Sequence, residues 1–319
     1  MTVALLILAY NEEKKIKEVV EKYIEKFVKV IVVNDCSKDS SYNILEELDS
    51  THDNLSIITN KKNVGAGKSF EIGLKEFVKL DCEYLIKIDG DDQFNSSDVD
   101  RLQEFVINEN YDYIKCDRFW ASGIDGKIPF VRYLGNAFAS FLIKFSTGNW
   151  KMNDALNGLF LISKKVAKDF SLPKLFNRYG YPFYLNSFVC NYLISNRIMI
   201  GQYKNVVSYR DEKSNLNAFI MFFKLVYFVI RNFFHKIRLK IQVSELQISA
   251  IFDIFSIFIF VNIIFSIYKF VSIRYYDFPG PQGTWFVVFL FFTTIYLVIL
   301  GMSQNQESKI YKNTFKNIK

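Results

Sequence analysis

The first 120 residues alternate two hydrophobic rhythms. Residues 3–8 are apolar at every position, and 28–33, 55–58 and 84–88 are apolar runs broken by a single polar residue. Short runs of this kind read as strands covered on both faces. Between them, Tyr42, Ile44, Leu45 and Leu48 recur at helical spacing, and residues 68–80 form another helical stretch. Asn11 stands where it caps an earlier helix, with Glu12 and Glu13 in the first turn, facing the positive end of the helix dipole. Strand–helix alternation predicts a parallel sheet with right-handed crossovers. Ligands of such sheets bind beyond the carboxyl ends of the strands. Tyr10-Asn11-Glu12, Asn34-Asp35 and Asp89-Gly90-Asp91 all fall there. The pattern therefore predicts one nucleotide-sized site.

From about residue 216 the rhythm changes. Residues 248–273 are apolar apart from Asp253 and Lys269 near the ends, and 285–302 carry no charge. Each is near the ~20 residues that cross ~30 Å of hydrocarbon. Residues 278–283 read as the turn between them, with Tyr275, Tyr276 and Trp285 where interfacial aromatics belong. Basic residues precede the first span, over 231–240, and follow the second, at Lys309, Lys312, Lys316 and Lys319. Both flanks are then expected in the cytoplasm, giving a helical hairpin with a short outer turn. A core helix pair in a soluble protein is the alternative that length and flanks argue against. Residues 216–234 are apolar but place Lys224 and Arg231 on one helical face, as in an amphipathic helix lying in the interface. A third span is the alternative there. The expected organisation is an α/β domain over 1–215, amphipathic juxtamembrane helices over 216–245, two transmembrane helices over 246–303 and a basic tail over 304–319.

Composition agrees with this division. Half of the residues are hydrophobic and 17% are aromatic, and the excess is concentrated after residue 216. The net charge is +7, yet the basic residues form no single long tract and many flank the apolar C-terminal segments. That placement suits an anionic membrane surface and argues against nucleic acid as a partner. Cys36, Cys82, Cys116 and Cys190 are far apart, and the two histidines do not complete a usual zinc set with them. They read as reduced thiols of a cytosolic domain. Residues 2–10 are too short for a signal peptide and lack a cleavage site, so they read as a buried strand.

Two short motifs carry candidate chemistry. Residues 63–69 (NVGAGKS) look like a phosphate-binding loop, but the first glycine of that pattern would fall at position 62, which is Lys62. Its glycines still permit a tight turn or a close backbone approach. At the end of the fourth predicted strand stand Asp89, Asp91 and Asp92. An Asp-x-Asp offers hard oxygen ligands to Mg²⁺ or Mn²⁺, with substrate phosphates completing the shell. Gln93 can add a carbonyl oxygen. Asp154 is a candidate base or acceptor-orienting residue, with a helix cap at Asn153-Asp154 as the alternative.

Leu8-Ala9-Tyr10-Asn11-Glu12, Val32-Val33-Asn34-Asp35-Cys36-Ser37, Asn63-Val64-Gly65-Ala66-Gly67 and Ile88-Asp89-Gly90-Asp91-Asp92-Gln93 resemble, in order, the motifs of family 2 glycosyltransferases. The resemblance covers roughly residues 1–215 and implies a GT-A fold, an α/β, Rossmann-like and mostly parallel sheet. It is closer to polyprenyl-phosphate glycosyltransferases, including dolichol-phosphate mannose synthases, on Arg118, Arg132 with Asn136, Asp154 to Gly158, and Tyr209-Arg210. Asn34-Asp35-Cys36-Ser37 departs from the family's usual Asp-Asp-Gly-Ser, and Lys213-Ser214 reverses its Ser-Lys. By this resemblance Ala9, Tyr10, Glu12, Asp35, Gly65, Asp89 and Arg118 contact the nucleotide sugar, a UDP- or GDP-linked donor. Asp89, Asp91 and Gln93 hold Mg²⁺ or Mn²⁺. Asp91, Asp154, Arg132 and Arg210 form the catalytic set, with the arginines clamping phosphate oxygens. The implied reaction moves the sugar with inversion to a polyprenyl (undecaprenyl) phosphate at the cytoplasmic face of the inner membrane. A saccharide or lipid-linked glycan acceptor is the alternative. The resemblance also suggests a homo-oligomer.

Overall fold

The structure is a computed structural model describing residues 1–108, 110–119, 130–205, 218–276 and 282–318. The chain divides into two units, one formed by Met1–Ile230 with Thr314–Lys319 and the other by Arg231–Asn313.

In the first unit the apolar runs become strands: β1 (Val3–Ala9), β2 (Lys29–Asn34), β3 (Leu55–Thr59) and β4 (Tyr84–Asp89). They are followed by β5 (Tyr113–Asp117), β6 (Phe160–Ser163), β7 (Ile200–Lys204) and β8 (Phe315–Ile318). Among the described residues these strands form one sheet in the order β3-β2-β1-β4-β6-β5-β7-β8. β6 runs antiparallel to both neighbours; every other pairing is parallel. Every residue of β1 is buried because helices cover the sheet on both faces. α1 (Ile16–Ile24) buries Ile16, Val19, Val20, Tyr23 and Ile24, and α3 (Ala66–Lys79) buries Phe70, Leu74 and Phe77. α2 (Ser41–Asp49), α4 (Ser96–Asn108), α5 (Phe130–Thr147), α6 (Lys164–Asp169) and α7 (Tyr181–Asn196) complete the layers.

Two local expectations are corrected. Asn11 does not cap α1, whose N-cap is Lys15. Asn11 instead takes a left-handed φ of 59°, and its side-chain oxygen accepts from the Lys38 amide at 2.8 Å. The basic tail expected over 304–319 is not a tail. α10 (Gln282–Thr314) carries the helix to Thr314, and β8 then pairs in parallel with β7.

α8 (Ala218–Gln242) continues beyond the expected amphipathic stretch and through the basic residues. Its first part buries Leu225, Phe228 and Val229, with Phe228 edge-on to Phe176, Phe183 and Tyr184. Phe219, Ile220, Phe222, Phe223 and Tyr227 remain exposed.

The second unit holds the end of α8, α9 (Gln247–Tyr276) and most of α10. Its two apolar helices form a hairpin-like membrane anchor. Gln247–Ser272 and Thr284–Lys312 have mean hydropathies of 2.4 and 2.3 and are long enough to cross a bilayer. Phe260 with Tyr296, Phe265 with Trp285 and Phe270 with Phe286 pair across the hairpin at ring distances of 6.0, 6.0 and 6.3 Å. At its base Lys240 Nζ meets Asp253 Oδ2 at 2.6 Å and also pairs with Glu307, while Lys236 reaches Glu307 at 3.2 Å. Ser249 and Ser303 bond to one another and to the same charges. All of these side chains are buried, and two lysines against two acids leave no net charge, the condition for keeping ions out of water.

Candidate active site

Strand direction gathers the polar clusters. β1, β2, β4, β5 and β7 run parallel, so Ala9, Asn34, Asp89, Asp117 and Lys204 end at one edge. β6 runs the other way, which brings the residues before it, Asp154 to Leu159, to the same edge.

The three aspartates separate at the end of β4. Asp92 adopts φ 57° and turns back to α1, where Lys22 meets it at 3.0 Å. Asp91 accepts from the Gln93 amide at 3.2 Å and lines a cleft of about 320 Å³ with Asn11, Glu12, Glu13, Lys14, Lys15 and Asp39. Asp89 Oδ1 meets Lys87 Nζ at 2.6 Å. Lys87 is fully buried; burial disfavours its charge, but Asp89 outweighs this and holds the ammonium protonated well above its ordinary range. Gly158 sits against the same carboxylate. A Cβ there would lie 2.8 Å from Asp89 Oδ2 and 3.2 Å from Lys87 Nζ, so any side chain would crowd the acid.

Among the described residues no three His, Cys, Asp or Glu side chains converge as a metal cage. A pair of hard carboxylates is nevertheless the donor set that suits Mg²⁺ or Mn²⁺ when substrate phosphates supply further oxygens. Asp89 and Asp91 fit such an ion.

On the β1–β2 side, loops are laced together. The Asp35 amide donates to Ala9 O at 2.9 Å. The Asn11, Glu12 and Glu13 amides donate to Ser37, Ser41 and Asp39, at 3.0, 2.9 and 3.0 Å. Tyr10 is 41% exposed beside them. Asp35 is buried and faces the next loop: Oδ1 accepts from Asn60 at 2.9 Å and the Val64 amide at 2.8 Å, and Oδ2 from the Gly65 amide at 2.8 Å. The glycines of that loop serve a close approach to the chain itself. Gly65 has φ +93°, and a Cβ on Gly67 would lie 2.1 Å from Phe176 O. The Gly67 and Lys68 amides donate to Arg178 O and Asn177 O, at 3.3 and 2.8 Å. The first turn of α3 therefore spends these donors internally, which is why the loop is no phosphate cradle.

On the β5–β6 side, Asp154 is fully buried with a left-handed φ of 45°. Its Oδ2 accepts from Arg118 Nε at 2.7 Å and the Arg118 amide at 2.9 Å; its Oδ1 accepts from Arg118 Nη2 at 2.7 Å and Asn136 Nδ2 at 2.6 Å. Asn157 adds a bond at 3.2 Å. Burial alone would raise the Asp154 carboxyl; the Arg118 guanidinium outweighs it and, with Lys115, holds it down to about 2. Lys115, buried, donates to the carbonyls of Asn153 and Asp154. Asp154 is thus a filled anchor for Arg118, and its oxygens, each already accepting two or more hydrogen bonds, leave no ready site for an acceptor proton. Arg132 lies on α5, but its side chain, like all of Arg210, falls outside the described residues.

Sequence reasoning passed over Lys87, Lys115 and Gln202. A signal was present: Lys87-Ile88-Asp89 and Lys115-Cys116-Asp117 each place a lysine inside an apolar strand, two residues before its terminal aspartate. A buried lysine needs a partner at hand.

Fold and site together define an α/β catalytic domain with an acid pair at its strand ends, carried on a membrane hairpin. The profile described as glycosyl transferase family 2 matches residues 4–170, and the chain belongs to that family. Its catalytic domain has the GT-A fold, and the protein is a glycosyltransferase. One relative, the UDP-N-acetylglucosamine–dolichyl-phosphate N-acetylglucosaminyltransferase of Methanococcus voltae, is 29% identical over 177 residues, 51% of this chain and 70% of that protein. The undecaprenyl-phosphate 4-deoxy-4-formamido-L-arabinose transferase of Proteus mirabilis is 31% identical over 124 residues, 36% of each. The structure of S. aureus TarS 1-349 in complex with UDP-GlcNAc is similar with a TM-score of 0.48 at 17% identity, covering 75% of this chain and 70% of that one.

Proposed function

We propose that this glycosyltransferase moves a sugar from a nucleoside-diphosphate donor to a polyprenyl phosphate at the cytoplasmic membrane face. The observation that carries this reading is the filled carboxylate of Asp154. An alcohol acceptor needs a base to take its proton, whereas a phosphate monoester is already largely ionised at neutral pH. A site whose central acid is committed to Arg118 suits the phosphate. Two relatives named for dolichyl- and undecaprenyl-phosphate acceptors, and the apolar hairpin, support a lipid-linked acceptor.

In this reading Tyr10 and Glu12 face the nucleotide, with Ala9, Asp35 and Gly65 shaping the loops around it. Asp89 and Asp91, with Gln93, hold Mg²⁺ or Mn²⁺. When bound, that ion supplies Lewis-acid neutralisation of the charge growing on the leaving nucleoside diphosphate. Arg118 belongs to the acceptor side rather than to the nucleotide sugar, because its guanidinium is held on Asp154, and it takes the acceptor phosphate with Arg132 and Arg210. An acceptor oxygen forms a bond to the anomeric carbon while the bond from that carbon to the diphosphate oxygen breaks, inverting the centre. The donor is a UDP- or GDP-sugar, the enzyme is a multi-pass inner-membrane protein, and its working form is a homo-oligomer.

The test is a transfer assay on membranes containing the protein, with undecaprenyl phosphate, Mg²⁺ or Mn²⁺, and labelled UDP- and GDP-sugars. Label should enter the organic phase only with metal present. Asp91→Ala should lower the rate by about 10²-fold or more, the loss of several kcal/mol of charge stabilisation. Label found only in water-soluble saccharide would replace the acceptor in this reading.

A further inference from the structure

The last strand of the chain reaches the anchor of the candidate site. The chain leaves the first unit after Ile230, forms the hairpin, and re-enters the unit at Thr314. β8 then adds to the sheet edge, pairing Ile200 with Phe315 through Tyr203 with Ile318. This is no loose edge. Phe315 is 2% exposed, and Ile318 joins the same apolar cluster as Ile114 and Cys116. Gly201 is shaped to receive it, because a Cβ there would stand 2.6 Å from Ile318 Cδ1.

The neighbour of that glycine faces the site. Gln202 is buried; its Oε1 accepts from the Asn153 amide at 2.9 Å, and its Nε2 donates to Asn317 Oδ1 of β8 at 3.4 Å. The residue after Asn153 is Asp154, whose left-handed backbone is costly for a side chain other than glycine and persists only where surrounding contacts over-determine it. Arg118, Asn136 and Asn157 hold the Asp154 carboxylate, and three further groups hold the backbone and side chain around it: Gln202 on the Asn153 amide, Lys115 on the two carbonyls, and Lys144, whose Nζ meets Asn153 Oδ1 at 2.7 Å. Lys115 and Lys144 come from β5 and α5. Gln202 alone of the three is also bonded to the strand that follows the hairpin.

The geometry points to Gln202 as a positioning residue through which β8 holds Asn153-Asp154, and hence the Arg118 guanidinium, in register. β8 is a latch: with it in place the acid that orients Arg118 is locked, and without it that turn loosens. The acceptor-side consequence rests on the role proposed above for Arg118; the latch itself does not.

The experiment compares the full-length protein in detergent with Gln202→Leu, Gly201→Ala and a deletion of residues 315–319. Amide hydrogen exchange is followed over the segment 152–157, alongside nucleotide affinity and the acceptor KM. Gln202→Leu removes the acceptor of the half-buried Asn153 N–H, so its exchange should quicken about tenfold or more. The deletion and Gly201→Ala, which pushes Ile318 away, should loosen the same segment. Acceptor KM should rise in all three while nucleotide affinity stays within about twofold of wild type. Unchanged exchange over 152–157 in Gln202→Leu overturns the role of Gln202, and unchanged exchange in Gly201→Ala, which displaces Ile318 while keeping the Gln202 side chain, overturns the latch even where the deletion unfolds the domain. Should the wild type transfer nothing to a polyprenyl phosphate, the functional reading fails, and the exchange data still decide the latch.

Discussion

Asp154 shows how a single residue's chemistry is set by its neighbours. Its carboxyl is held at about 2, below its ordinary 3.8, by Arg118 and Lys115 against the opposing effect of burial. A depressed folded value means stability that is fully present above the ordinary carboxyl range. That stability is lost as the pH falls from about 4 toward 2. Thermal unfolding across pH should therefore show an acid limb in that window, and Asp154→Asn should flatten it. At pH 7 the same substitution leaves Arg118 and Lys115 without their counter-charge and should cost about 3 kcal/mol. An acid limb unchanged by the substitution would move the pH dependence elsewhere. The aspartates at the end of β4 were legible as a group, but not which of them stays: Asp92 leaves for Lys22, a partner 70 positions away.

At the scale of elements, the apolar runs gave the parallel strands almost to the residue, since a short run covered on both faces has few other ways to be buried. The glycine loop before α3 needed the structure. Its glycines meet the 176–178 backbone, far along the chain. Gly67→Ala should then destabilise the domain by about 2 kcal/mol through the collision with Phe176 O. Gly135, exposed within α5, would meet nothing within 4 Å. Gly135→Ala should stabilise by about 0.5–1 kcal/mol, the helix-propensity difference. Chemical denaturation of the two variants separates packing from propensity.

For the whole molecule, connectivity makes a prediction that charge bias alone made in the sequence. The catalytic unit contains residues on both sides of the hairpin. Segments before α9 and after α10 should therefore lie on one side of the membrane. In a variant lacking the native cysteines, Glu245→Cys and Lys316→Cys should react with an impermeant thiol reagent from the same side, and Gln282→Cys from the opposite one. Labelling of positions 245 and 316 from opposite sides would dismiss the hairpin.

The sequence by itself determined what is written locally. Periodicity marks the strands, the apolar lengths mark the hairpin, and the acids that follow a strand mark the site's edge, because each depends on residues close in the chain. Tertiary structure decided the partnerships: Asp35 with the Gly65 loop, Asp154 with Arg118, Lys236 and Lys240 with Asp253 and Glu307, and β8 with β7. A buried charge requires an opposite one, but sequence does not say which, and a strand of four residues is too short to carry a period. Only the fold, by bringing distant residues together out of water, makes those choices.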